Sequence, residues 1–200
     1  MRSTSSLNEF KWLDLWVTDH LGCAFTGAFT TLSDSSEILR VLRAEPYPSH
    51  LQGTLAIQDG TNLTHALVGV NVEPERAWAF MTDSMGIALV RVTELSIGGT
   101  AMVVSGSENS GVMFTLASNG LTLAECNLSD GQGVTGEDPQ SLVQAVRVAG
   151  LDPQELVEGS LHPYATAAAV MKVLTEIPIT RSLLEEADFT VGSIPRAFWL

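Results

Sequence analysis

The stretch Val112-Met-Phe-Thr-Leu-Ala-Ser-Asn-Gly-Leu-Thr-Leu123 constrains the fold of this chain more than any other. Val112, Phe114 and Leu116 alternate, Leu121 and Leu123 resume the alternation, and Asn119-Gly120 stands between the two runs. A period of two puts the apolar side chains on one face of an extended strand. Asn-Gly readily takes positive φ at both central positions of a type I′ turn, whose twist matches that of antiparallel partners. A hairpin follows. With "TAMVVS" before it, joined by the polar loop from Gly106 to Ser110, it makes a three-stranded antiparallel meander over about 100–128.

A second hairpin is predicted over 66–82, where Val68, Val70 and Val72 alternate, "EPER" turns the chain, and Trp78 and Phe80 continue. Helices are expected on both sides of these strands. Ser6-x-x-Glu9 is a capping box, and Leu7, Phe10, Leu13, Val17 and Leu21 follow at spacings of three and four, which predicts a helix over 7–21 ended by Gly22. Asp34 reads as the N-cap of a helix over 35–43 that Pro46 and Pro48 prevent from continuing. "CAFTGAFT" is too short and glycine-broken to assign. "GIALVRVTELS" over 86–96 mixes β-branched residues with a helical length and a closing Gly98-Gly99, and is read as helix. Asp138-Pro139 opens a helix with Leu142, Val143, Val146 and Ala149 inward and Gly150 as its stop; Asp152-Pro153 and His162-Pro163 repeat the device, the latter leading into "YATAAAVMKVL". A short helix is expected over 181–187, and the apolar tail "IPRAFWL" should dock on the domain. The fold class is α+β: an antiparallel sheet covered by N-terminal and C-terminal helices in a single domain over 1–200.

Charge narrows the function. With 23 acids against 10 bases, the net charge is -13, which disfavours nucleic acid and anionic membrane as partners, since both are bound through clustered Lys and Arg. No Lys or Arg occurs between Arg91 and Arg147, whereas Glu94, Glu108, Glu125, Asp130, Glu137 and Asp138 do, so the middle third should carry a negative face. No secretory signal or apolar run of about 18 residues is visible, so the protein is expected to be cytoplasmic and without a membrane span. Cys23 and Cys126 then read as buried apolar residues, and the sequons at Asn62 and Asn127 as chance.

Catalytic motifs fail their contextual tests. "GQGVTG" over 131–136 has the GxGxxG spacing of a dinucleotide loop, but the next helix begins only at Pro139, no second parallel strand follows, and Glu137 and Asp138 would repel a phosphate. The glycines are read as a flexible junction between sheet and helices, and no cofactor is expected. His20, His50, His65 and His162 lack the spacing of a metal motif, and no metal is expected. His162, near Glu158, reads as a cap or surface residue. No GxSxG elbow or Walker loop is present. The pairs Glu73/Glu75 and Glu185/Glu186 read as solvated faces. Trp12 and Trp16 share a helical face and with Trp78 and Trp199 could line an apolar pocket, although the stripe carrying Leu13 makes core packing the simpler reading.

The order of several short segments resembles an actinobacterial family of about this length known as a domain of unknown function. The segments are "FKWLDLW", "GCAFTGAF", "SEILRVL", Val92 to Ser96, Phe114 to Glu125, "GEDP" and the alanine-rich helix ending in "LTEIPIT". Members often carry an Arg shortly before the Gly-x-x-Pro helix start; this chain has none near Gly136. The resemblance implies the order of elements and a cytoplasmic setting, and no activity.

On these readings the expected function is non-catalytic binding of a basic protein partner through an acidic face, in an immunity or inhibitor role. The candidate ligand or partner surface comprises Trp12, Trp16, Trp78, Glu125, Asp130, Glu137, Asp138 and His162. The alternative is a cofactorless small-molecule enzyme or carrier, of cyclase or isomerase kind in secondary metabolism, with an aromatic-lined pocket for a small apolar ligand. Nucleic-acid mimicry is a third reading, weakened by the irregular spacing of the acids.

Overall fold

A computed structural model describes residues 5–22, 24–59, 65–73, 75–107 and 109–195. Cys23, Asn62, Glu108, Trp199 and the side chain of the capping-box Ser6 lie outside the described set. The elements in chain order are α1 (Ser5–Leu21), β1 (Phe25–Thr30), α2 (Ser35–Val41), β2 (Glu45–Pro46), β3 (Leu51–Gln52), α3 (Gly53–Asp59), β4 (His65–Asn71), β5 (Ala79–Asp83), α4 (Ile87–Val90), α5 (Val92–Leu95), β6 (Thr100–Ser107), β7 (Gly111–Ser118), β8 (Leu121–Asn127), β9 (Gly131–Thr135), α6 (Pro139–Val148), α7 (Glu155–Glu158), α8 (Pro163–Thr175), α9 (Arg181–Glu185) and β10 (Asp188–Pro195).

The strands form one ten-stranded sheet in the order β2-β10-β4-β5-β1-β6-β7-β8-β9, with β3 pairing to β10 off this path. The described pairings are antiparallel. Both predicted hairpins are present, and Asn119 and Gly120 take the positive φ values of 50° and 82° that the tight turn demands.

Helices cover both faces. One core joins Phe25, Phe29, Phe80, Met102, Phe114 and Phe189 of the sheet to α1, α3, α6, α7, α8 and α9. The other joins Ala28, Val68, Val70, Met81 and Val103 to the smaller layer of α2, α4 and α5. In α1, Phe10, Leu13, Trp16 and Val17 are buried while Leu15 is 67% exposed, so the stripe read from the sequence is the stripe that packs. α8 is enclosed on nearly all sides, and its Ala165, Ala167, Ala168 and Ala169 are buried where small side chains let helix and sheet approach closely.

Five strands escaped the sequence reading: the two-residue β2 and β3, and three longer ones, β1, β9 and β10. β1 is buried at all six positions and β10 contributes Phe189 and Val191 to one core and Ile194 to the other, so neither shows the alternation of a half-buried strand. Of the tail expected to dock, Ile194 and Pro195 end β10 and pair with β4, and residues 196–200 lie outside the described set. The third longer strand is β9, which the reading took for a flexible junction. Its glycines are instead geometric necessities: Gly131 has φ +76° and a Cβ there would overlap the Val157 carbonyl, and Gly136 has φ +125° and a Cβ there would overlap that of Leu123. The segment over 86–96 is helical as two short pieces, α4 and α5, meeting at Arg91, whose φ of -108° breaks the helix. Asp138 occupies the N-cap of α6 without a side-chain cap bond, whereas Asp34 does cap α2, accepting from Ser36 N at 2.8 Å.

Gly133 has φ +84° but open space around it. We expect Gly133→Ala to cost about 1 kcal/mol from backbone strain alone. Gly131→Ala should cost at least about twice that, because Val157 must also move. Urea unfolding of the two variants checks the ordering.

Candidate functional site

The connection between β5 and β6 builds a cleft. These two strands flank β1, so the chain must cross over the end of β1 to get from one to the other, and α4 and α5 are that crossing. The sheet register sets Val68, Asp83, Thr26, Ser105 and Met113 in one row across five strands, on the face that carries α4. The row turns polar where the crossing leaves β5. Thr26 Oγ1 and Ser105 Oγ share a hydrogen bond of 2.8 Å.

Asp83 is 1% exposed and anchors the crossing. Its Oδ1 accepts from the amides of Met85 and Ile87 and its Oδ2 from that of Ala88, each at 2.9 Å. Burial pushes its carboxyl above the ordinary range, and the amides of Ala88, Ile87, Met85 and Gly86 oppose that push by stabilising the anion. Gly86 holds φ +72°, and a Cβ there would press on Ser105 Oγ. These residues open onto a cleft of about 450 Å³, with the hydroxyls of Thr26, Ser105, Ser107 and Ser110 on one side and Met85, Leu89 and Val90 on the other. Ser84 Oγ is buried there and has no hydrogen-bond partner.

A second feature lies at the β9 end of the sheet. Glu125 is exposed on β8, where its carboxylate meets Thr135 Oγ1 of β9 at 3.4 Å. Asp130 follows β8 and accepts from Asn127 Nδ2 at 3.0 Å. Glu137 and Asp138 are exposed where the chain leaves β9, their amides bound to the carbonyls of Thr122 and Leu123. α7, packed on β9, adds Glu155 and Glu158, and the turn before it adds Asp152. Among the described residues the ion pairs lie elsewhere, joining Arg40 to Glu37, Arg76 to Glu73, Arg91 to Glu94, Lys172 to Glu9 and Arg181 to Glu185.

The remaining candidates part company. Trp16 is 2% exposed, stacked on His20 and bonded through Nε1 to Glu185 Oε1 at 2.7 Å, so it is a core residue and no partner surface. Trp12 is half-buried beneath the Arg181 guanidinium, 5.0 Å from its ring centroid. Trp78 lines a separate shallow cleft of about 490 Å³ with Val173, Leu174 and Ile177. The described tryptophans therefore do not frame one pocket. His162 stands at the N-cap of α8, and the carboxylate near it is Asp14 of α1, with Nδ1 at 3.9 Å from Oδ2, and not Glu158. Asp14 itself caps α8 from a neighbouring helix, accepting from Tyr164 N at 3.0 Å and Ala165 N at 3.2 Å. Among the described residues, no three of His, Cys, Asp and Glu converge as a metal ion needs. No described helix is long and apolar enough to cross a membrane.

The sequence reading missed Asp83, Thr26 and Ser105. "DSMG" carried a signal, since an Asp at a strand end followed by Gly before a helix is an N-terminal signature. Nothing local could have set Thr26 beside Ser105.

Residues 3–198 match a family described as a family of unknown function, DUF6461. The chain belongs to the DUF6461 family. No curated protein and no solved structure matches this DUF6461 member. The family assignment spans every element described above, so the crossing over β1 and the acidic β9 end both lie within the matched residues.

Asp14 yields a test in this DUF6461 member. Burial raises its carboxyl above the ordinary value of 3.8 and outweighs the two amides and His162 that favour the anion. A raised carboxyl means that the folded state binds the proton more tightly, so its contribution to stability falls as pH rises from 3.8 through the raised pKa. Asp14→Asn removes that titration. The stability of the native chain relative to the variant should therefore be greatest at the acid end and decline to a plateau as pH rises. Asp14→Ala should cost about 1 kcal/mol at neutral pH through the lost cap. Chemical denaturation across pH measures both.

Proposed function

We propose that this DUF6461 member is a non-catalytic acidic binding protein whose β9 end engages a basic protein partner, in a role of the immunity or inhibitor kind. One observation carries the reading: among the described residues no cation pairs with the acids at that end, and five of them are positioned by neutral donors. Thr135 holds Glu125, Asn127 holds Asp130, the Gln154 amide holds Asp152, Ser160 holds Glu155, and the Gln154 side chain holds Glu158. A neutral donor fixes the direction of a carboxylate and leaves its charge uncompensated. Such charge steers a basic partner and selects it against acidic ones. The reading assumes a cytoplasmic setting, which suits Cys126, a buried free thiol whose burial pushes its pKa up to about 12 and leaves it unreactive.

The small-molecule enzyme reading has less support, because Trp16 fills the core and the buried acid nearest a cleft, Asp83, is engaged by three amides.

The test is capture of partners from the native host lysate on immobilised protein, followed by titration of the identified partner. We expect an affinity that falls about tenfold or more as ionic strength rises from about 0.05 M to about 0.5 M. The fourfold variant E125Q/D130N/E137Q/D138N retains shape and loses charge, so it should bind the same partner at least about tenfold more weakly. An affinity that ignores both salt and the fourfold variant sinks the proposal.

A further inference from the structure

The geometry points to a second binding site in the cleft under the β5–β6 crossing, for a small organic cation: a primary ammonium carrying a short apolar group. The site is separate from the acidic β9 end and would stand or fall independently of the partner reading.

Size is suitable first. A cleft of about 450 Å³ lies within the usual range for small-molecule sites, and it is formed by strand ends and a crossing anchored through three hydrogen bonds to Asp83. Its polar side then decides the ligand's charge. Among its described lining residues there is no Lys, Arg or His, and the one ionisable group is the carboxyl of Asp83. An anion would find no opposing cation among the described lining residues. The spare hydrogen-bonding capacity is chiefly acceptor capacity: the paired Thr26 and Ser105 hydroxyls keep free lone pairs, Ser84 Oγ has no partner, and Asp83 Oδ2 accepts a single bond. An ammonium group brings three donors to these acceptors.

The other side of the cleft sets the rest of the molecule. Met85 is 48% and Val90 is 72% exposed beside Leu89, an apolar rim that the fold leaves in water. A short alkyl or aryl group on the amine would cover that rim. Gly86 keeps the way to the hydroxyl pair open, since a side chain there would press on Ser105 Oγ.

The probes are n-butylammonium, n-butanol and butyrate, matched in length and differing in charge, titrated into the isotope-labelled full chain while amide shifts are followed. We expect butylammonium to saturate with shifts centred on Gly86, Val90 and Ser105, butanol to bind about tenfold more weakly, and butyrate to cause no shift there. Ser105→Leu fills the cleft and should abolish the butylammonium shifts. Val90→Lys, at an exposed position where folding is safe, sets a like charge at the mouth and should weaken butylammonium about fivefold. Equal binding of the three probes, preference for butyrate, shifts spread over the acidic surface and not the cleft, or butylammonium binding unchanged in the folded Val90→Lys protein would each overturn the assignment.

Discussion

Everything in this fold hangs on β1. The sheet has two halves, β2-β10-β4-β5 and β6-β7-β8-β9, and β1 is the strand that joins them, bonded to β5 along one side and β6 along the other. Its side chains divide strictly between the two cores. Phe25 and Phe29 enter the larger one, Ala28 enters the smaller, and Gly27 leaves the room that the Phe25 ring occupies. A six-residue strand in that position must be buried on both faces, and both faces must then be covered by helices. The long α1 before it and the α4–α5 crossing over it are the local answers to that demand.

Because β1 sits between β5 and β6, the chain cannot make a tight turn from one to the other. It has to climb, and Asp83 makes the climb possible by satisfying three amides that the start of α4 would otherwise leave unpaired. The cost is a carboxylate taken out of water, partly offset by those amides. The same crossing ends before it reaches β9. Asn127 and Glu125 lie on the crossing's face of the sheet, in register with Met113 and Thr115, and they are half-exposed and exposed respectively. The cleft and the open acidic end are thus two results of one short layer.

How much of this the sequence revealed follows from burial. The meander was legible because β7 carries an alternating apolar set and Asn119-Gly120 has few other uses. α1, α2, α6 and α8 were legible because caps and period agree. β1 and β10 were not, since burial on both faces erases the alternation. β9 was hidden by its glycines, which looked like slack and turned out to be close approaches to Val157 and Leu123. At the candidate sites the acids of the β9 end were visible as a run without bases, but their freedom from cations depends on where the five paired Lys and Arg residues fold. Trp16 was offered for a surface and belongs to the core, because its ring lies on the Leu13 stripe while its Nε1 reaches a carboxylate from α9.

The distribution of charge is itself a physical argument about what the β9 end is for. Like charges gathered at one end lower stability, and a chain selected for stability alone would spread them or pair them. Arg147, in the last turn of α6, is exposed and forms no ion pair with a described residue. The acids instead take their hydrogen bonds from Thr135, Asn127, Gln154 and Ser160, which orient carboxylates without neutralising them. Elsewhere Glu9, Glu37 and Glu73 are given a cation, whereas Asp19, Glu45 and Glu186 are exposed without a described ion pair, Glu186 accepting from Ser182 Oγ. The acids of the β9 end are the ones the proposed basic partner would meet.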